Sequence, residues 1–170
     1  MLSSVNVHEM DERIRRLYES SFSETEKIPL ENIYRTIGRG GNLRFYRDDG
    51  RFIGFTFSFV DGDRMFLVYF ATLPELRGQG YGGQILARIR EDFEGVRTFL
   101  VVEPVDDSAP DREMRRRRQA FYRRNGCFDT GIQVISDDEW FDTLFVQGVL
   151  TEEEMVSTVT LYENIHNGRC

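Results

Sequence analysis

The chain has 170 residues, 40% of them hydrophobic and 14 of them Phe, enough for one well-filled core and, on length, one domain rather than two. Its 29 acidic residues outnumber 22 basic ones, and a formal charge of -7 argues against nucleic acid or an anionic membrane as the main partner while suiting a small cationic substrate. No stretch reaches the roughly 20 apolar residues of a membrane span, the first ten residues hold no long apolar run, and the cysteines, Cys127 and Cys170, suggest neither a metal pair nor a disulfide; a soluble, cytoplasmic protein is expected.

Residues 9–22 place Met10, Ile14, Leu17, Tyr18 and Phe22 at helical spacing and predict a first helix. Residues 23–29 interrupt it, and a second helical pattern over 30–37 stops at Gly38-Arg39-Gly40-Gly41. Antiparallel strands are expected at 43–46, 52–60 and 65–72, joined by the hairpin sequences Asp48-Asp49-Gly50 and Asp61-Gly62-Asp63. A helix over 84–93 carries Ile85, Leu86, Ile89 and Phe93 on one face, and residues 98–102 read as a strand buried on both sides. Ser108 with Asp111 suggests a capping box for a helix that runs to Asn125-Gly126. Strands near 128–135 and 140–146 follow, and Thr151 is placed to cap a last helix over 151–166, whose β-branched residues weigh against it. The fold class is therefore α/β, with a mixed, mostly antiparallel sheet of six to seven strands and helices on both faces. Residues 1–149 form the main domain and 150–170 a helical extension of it, which either covers the sheet or pairs with a second copy as a homodimer.

The densest chemistry lies in Arg77-Gly78-Gln79-Gly80-Tyr81-Gly82, between a strand and a helix. Glycines there let the backbone turn sharply and leave its N–H groups uncovered at the positive end of a helix, which makes a pocket for phosphate. The spacing is neither a P-loop, since no Gly-Lys-Ser/Thr follows, nor the dinucleotide fingerprint.

That loop, preceded by Leu73-Pro74-Glu75 and followed by a buried strand and by Phe121-Tyr122 close to Asn125-Gly126, resembles the GNAT superfamily of acyl-CoA-dependent N-acetyltransferases over most of residues 1–147. The resemblance implies acetyl-CoA as co-substrate, no metal, and an acceptor that is a small-molecule or peptide amine. It implies that Arg77, Gly78, Gln79, Gly80, Tyr81 and Gly82 grip the pyrophosphate, and that the strand around Phe70, Ala71 and Thr72 parts from its neighbour to face the pantetheine arm and the thioester. Tyr122 takes the position of the general acid and Glu103, at the end of the buried strand, that of the general base, each weighed against a plain packing or solvated role. Glu24 and Glu26, in the break between the first two helices, read as a solvated loop beside the acceptor site.

Arg112, Arg115, Arg116, Arg117 and Arg118 read as a solvated helix face, with one arginine able to reach a coenzyme phosphate. His8 and His166 have no ligand pattern around them. Many family members carry an asparagine seven residues before the tyrosine, where this chain has Arg115, so that contact is not carried over. Cys127 stands between Gly126 and Phe128, which shifts the inward face of the next strand by one residue. Two functions stay open: an N-acetyltransferase acting by direct attack in a ternary complex, and a non-catalytic acyl-CoA-binding or scaffold protein of the same fold. An RNA-associated role for the arginine run is a weaker third.

Overall fold

The structure is a computed structural model that describes residues 1–9, 11–136 and 138–169. The expectations made for Met10 and Cys170 lie outside these residues.

Seven strands form one sheet: β1 Leu2–Asn6, β2 Gly41–Asp48, β3 Arg51–Asp61, β4 Arg64–Thr72, β5 Arg97–Val102, β6 Phe128–Ser136 and β7 Glu139–Gln147, in the order β1-β2-β3-β4-β5-β7-β6. All neighbours are antiparallel except β4 and β5. The helices are α1 Glu12–Ser21, α2 Leu30–Thr36, α3 Tyr81–Asp92, α4 Arg112–Arg124 and α5 Glu152–His166. Both predicted hairpins form: Asp49 and Gly50, at φ 45° and 82°, join β2 to β3, and Gly62, at φ 61°, helps join β3 to β4.

Two apolar layers sandwich the sheet. On one face α1, α2 and α5 bury Ile14, Leu17, Tyr18, Ile33, Met155 and Tyr162 against a stripe of Phe55, Phe57 and Phe59 from β3. On the other face α3 packs Ile85, Leu86 and Ile89 over Met65, Leu67 and Leu100, with Phe121 and Tyr122 of α4 beside them. The Tyr162 ring lies 5.7 to 6.1 Å from those of Phe59, Phe66 and Phe57, a fit in which each large side chain is worth several kcal/mol. Residues 152–166 thus cover the sheet. Thr151 caps α5 in a full capping box with Glu154, which outweighs the β-branched residues.

Three local expectations change. β1, an edge strand paired with β2, was not expected. α3 begins at Tyr81, so Gly82 and Gly83 lie inside its first turn. No capping box forms at Ser108: its N–H and hydroxyl both donate to Asp106, and Asp111, at the helix boundary, instead accepts from Arg115.

Candidate active site

The feature that makes a site is a split in the sheet. β4 pairs with β5 only from Arg64↔Arg97 to Leu67↔Leu100. At the next residue the β3 register jumps from Phe57↔Tyr69 to Ser58↔Leu67, leaving Val68 as a bulge. A bulge bends its strand and raises the local twist, and here it swings β4 off β5. Among the described residues, 68–72 thereby lack a partner strand on that edge, while β5 continues along β7 to Val102↔Asp142. Ala71 and Thr72 lie on this parted stretch, paired with Phe55 and Gly54 of β3.

The glycine loop follows directly. Gly78 and Gly80 sit at φ 77° and 84°, and a Cβ on either would meet nothing within 4 Å. Within the turn, N–H groups of Arg77, Gln79 and Gln84 donate to Pro74, Leu76 and Gly80 carbonyls. The amides of Gly78 and of residues 80–83 have no such acceptor among the described residues, as the opening turn of a helix requires. An anion with several oxygens fits this cradle. Arg77 is exposed and Gln79 folds back to donate to Glu75 O at 2.8 Å.

Two loop residues also have packing roles. Gly82 makes room for a ring, since a Cβ there would lie 2.8 Å from Phe121, and Gly83 does the same for Asn125 at 2.4 Å. Tyr81 turns its side chain away, its hydroxyl donating to Asp48 Oδ2 at 3.1 Å, so only its amide faces the loop. The motif at 77–82 and the motif at 121–126 are therefore the two sides of one helix–helix contact. Arg90 of α3 strengthens it, donating to Asn125 O at 2.7 Å and Val146 O at 3.0 Å, where a cation suits the exposed carbonyls of a helix end.

Across the split, Tyr122 packs on the parted part of β4, its ring 6.5 Å from Phe70. Its hydroxyl has no hydrogen-bond partner among the described residues, and burial pushes its pKa up to about 12, with Arg118 opposing the shift. Glu103 follows the last residue of β5, with its carbonyl held by Gln119 Nε2 at 3.1 Å. Its carboxylate meets Arg118 at 2.9 Å and Arg115 at 3.7 Å. Burial raises its pKa above the ordinary value, against the pull of Arg118 and with help from Glu26.

The arginine run divides by face. Arg112, Arg116 and Arg117 are exposed, while Arg115 and Arg118 turn inward onto Glu103. Glu26 departs from the solvated-loop reading: it pairs with Arg118 at 3.4 Å and its side chain is only 26% exposed. Glu24, 92% exposed and paired with Lys27, keeps that reading. Gln119 and Arg118 are the site residues that sequence reasoning missed. The signal was present, because 115, 118, 119 and 122 share one helical face. Downstream, Cys127 is buried and Phe128 is 49% exposed.

Comparisons with known proteins agree with this geometry. Residues 40–126 match the acetyltransferase (GNAT) domain family. A Bacillus subtilis (strain 168) protein named "Putative acetyltransferase YjbC" is 28% identical over 133 residues, covering 72% of this chain and 65% of that relative, so the match spans less than two thirds of it. Among solved structures, a GNAT-family protein from Bacteroides thetaiotaomicron superposes with a TM-score of 0.70 at 24% identity, covering 91% of this chain and 88% of that one. A Bacillus subtilis acetyltransferase in complex with CoA gives 0.62 at 10% identity, covering 88% and 100%. The split sheet, the helix-opening glycine loop and the family match together place this chain in the GNAT acetyltransferase family.

Proposed function

We propose that this chain is an N-acetyltransferase that moves an acetyl group from acetyl-CoA to a primary amine, of a small molecule or a peptide, by direct attack in a ternary complex. The observation that carries this reading is the split between β4 and β5, which ends between the glycine loop on one side and Glu103 and Tyr122 on the other. The amides of Gly78 and residues 80–83 would hold the pyrophosphate, and the open edge at Ala71 and Thr72 would lie along the pantetheine arm. A backbone N–H on that edge, aimed at the thioester oxygen, would contribute roughly 3 kcal/mol as negative charge develops there.

An alkyl ammonium, with a pKa of about 10.4, must lose a proton before its nitrogen attacks. Glu103 accepts that proton, directly or through one water, and its raised pKa makes it a better base than an ordinary carboxylate. The N–C bond forms, the C–S bond breaks and the electron pair leaves with sulfur as a thiolate, which takes the second amine proton, directly or through water, to give the free thiol. Tyr122, protonated at neutral pH, is a donor for that sulfur. Because its pKa of about 12 lies above the roughly 8.5 of a thiol, its first contribution is a hydrogen bond to the departing thiolate rather than outright transfer.

A thiol-release assay with acetyl-CoA against amines, polyamines, amino acids and peptides tests this. Turnover with at least one amine is expected, and Tyr122→Phe should lower kcat more than it weakens acetyl-CoA binding. Equal turnover in Tyr122→Phe and the parent would remove the donor role. A second reading, acyl-CoA binding without transfer, draws on the two arginines that engage Glu103; thermal stabilisation by acetyl-CoA with no thiol release across the panel would favour it.

A further inference from the structure

Three segments meet at one guanidinium. Arg118 lies one helical turn before Tyr122, and its Nη1 is 2.9 Å from Glu103 Oε2 at the end of β5 and 3.4 Å from Glu26 Oε1 in the link between α1 and α2. α4 lies over the face that carries α3, and the α1–α2 link belongs to the opposite face, so these ion pairs reach across the split.

Both carboxylates are themselves fixed. Ser23 donates to Glu26 Oε2 from its N–H at 2.8 Å and its hydroxyl at 2.9 Å, which turns Oε1 toward Arg118. The Tyr69 hydroxyl donates to Glu26 O at 2.7 Å, and the Tyr18 hydroxyl accepts from Ile28 N–H at 2.9 Å, so the link is anchored to β4 and α1. Glu103 has its carbonyl held by Gln119 and its Oε2 held by Arg118. Among the described residues its Oε1 has only the 3.7 Å approach of Arg115, which is itself engaged by Asp111 and by Pro104 O. One oxygen of Glu103 is tied down and the other is not.

We propose that Arg118 is a positioning residue for the proton acceptor: it fixes Oε2 of Glu103, leaves Oε1 to take the acceptor's proton, and through Glu26 couples the acceptor-side link to that carboxylate. This rests on the reading of Glu103 as the base. The charged groups that act on Glu103 are Arg118 and Arg115 from α4, Asp111 at its N-cap and Glu26 from the link, while Asp142 of β7 shares Gln119 Nε2 with the Glu103 carbonyl. Arg118 and Arg115 lower its pKa, whereas Glu26 and Asp111 raise it. The two partners across the split therefore have opposite signatures. Removing Arg118 moves the titration of Glu103 up and so shifts the acidic limb of kcat/KM to higher pH. Removing the charge of Glu26 moves both down. A purely structural tie would lower activity at every pH and move neither.

The experiment follows the Glu103 carboxyl by 13C NMR, assigned with Glu103→Gln, and measures kcat/KM against pH with acetyl-CoA and the fastest amine of the acceptor panel. The proteins are the parent, Arg118→Met, Arg118→Lys and Glu26→Gln. Opposite shifts in Arg118→Met and Glu26→Gln, a fall in kcat/KM of about tenfold to a hundredfold in Arg118→Met, and partial recovery in Arg118→Lys are expected. Unmoved titration and unmoved limbs, with Glu103→Gln inactive, would overturn the positioning role and leave the base intact. Shifted titration with Glu103→Gln fully active would instead overturn the base, and the positioning role with it. If Arg118→Met fails to fold, Glu26→Gln decides, because its downward shift is required on its own.

Discussion

Arg97 and Arg118 each bind two carboxylates, yet Glu154 beside the first and Glu103 beside the second are in opposite states. On the α5 side, Arg97 grips Glu154 with both ends of its fork at 2.8 and 2.9 Å and also meets Asp63 at 2.9 Å. Glu154 accepts the Thr151 N–H as well, and these donors, Arg97 first, hold its pKa down to about 2. At the split, Arg118 gives Glu103 one contact and shares its charge with Glu26. Burial then outweighs the arginines, and the Glu103 pKa goes up. A two-pronged pair with a further backbone donor makes a carboxylate a structural clamp, whereas a single, shared contact to a carboxylate dominated by burial leaves it basic.

The sharpest way to break that contrast is at Glu103. Glu103→Gln should cost about 10²- to 10⁴-fold in kcat/KM, the range of a general base, with little change in melting temperature; steady-state kinetics beside a thermal melt separates the two. Tyr162→Ala, on the clamp side, should do the reverse, losing about 3–5 kcal/mol of stability by chemical denaturation while residual folded protein keeps its KM for acetyl-CoA. Gly80→Val should weaken acetyl-CoA binding tenfold or more by calorimetry, because a β-branched residue at φ 84° is strained and shields the loop amides. Glu154→Gln should have the smallest effect, and one that depends on pH. Its folded pKa lies below the ordinary 4.5, so its contribution is present above pH 4.5 and is lost as pH falls through about 2. The melting-temperature gap to the parent should accordingly be widest near neutrality and close as the solution is acidified.

Features carried by adjacent residues were legible in the sequence. The Asp-Gly hairpins, the glycine loop and the Phe121-Tyr122 pair each announce local geometry, and the order of elements implies the mixed sheet. The bulge at Val68 was not legible, because residues 65–71 are almost uniformly apolar and show no break in alternation. β1 hid for a related reason: as an edge strand it needs little of the alternating pattern that marks a half-buried one. Arg118 was obscured inside an arginine run, where spacing groups residues on a face but cannot say which face meets β5. Glu26 depends on a contact across 92 residues, which only the folded chain brings together.

Acetyl transfer at the split is directly measurable. Incubating the protein with acetyl-CoA and the amine panel, and measuring released thiol and acetylated amine together by mass spectrometry, should give equal amounts of both, with Glu103→Gln lowering the two in parallel. Tight acetyl-CoA binding with no acetylated amine from any member of the panel would contradict it.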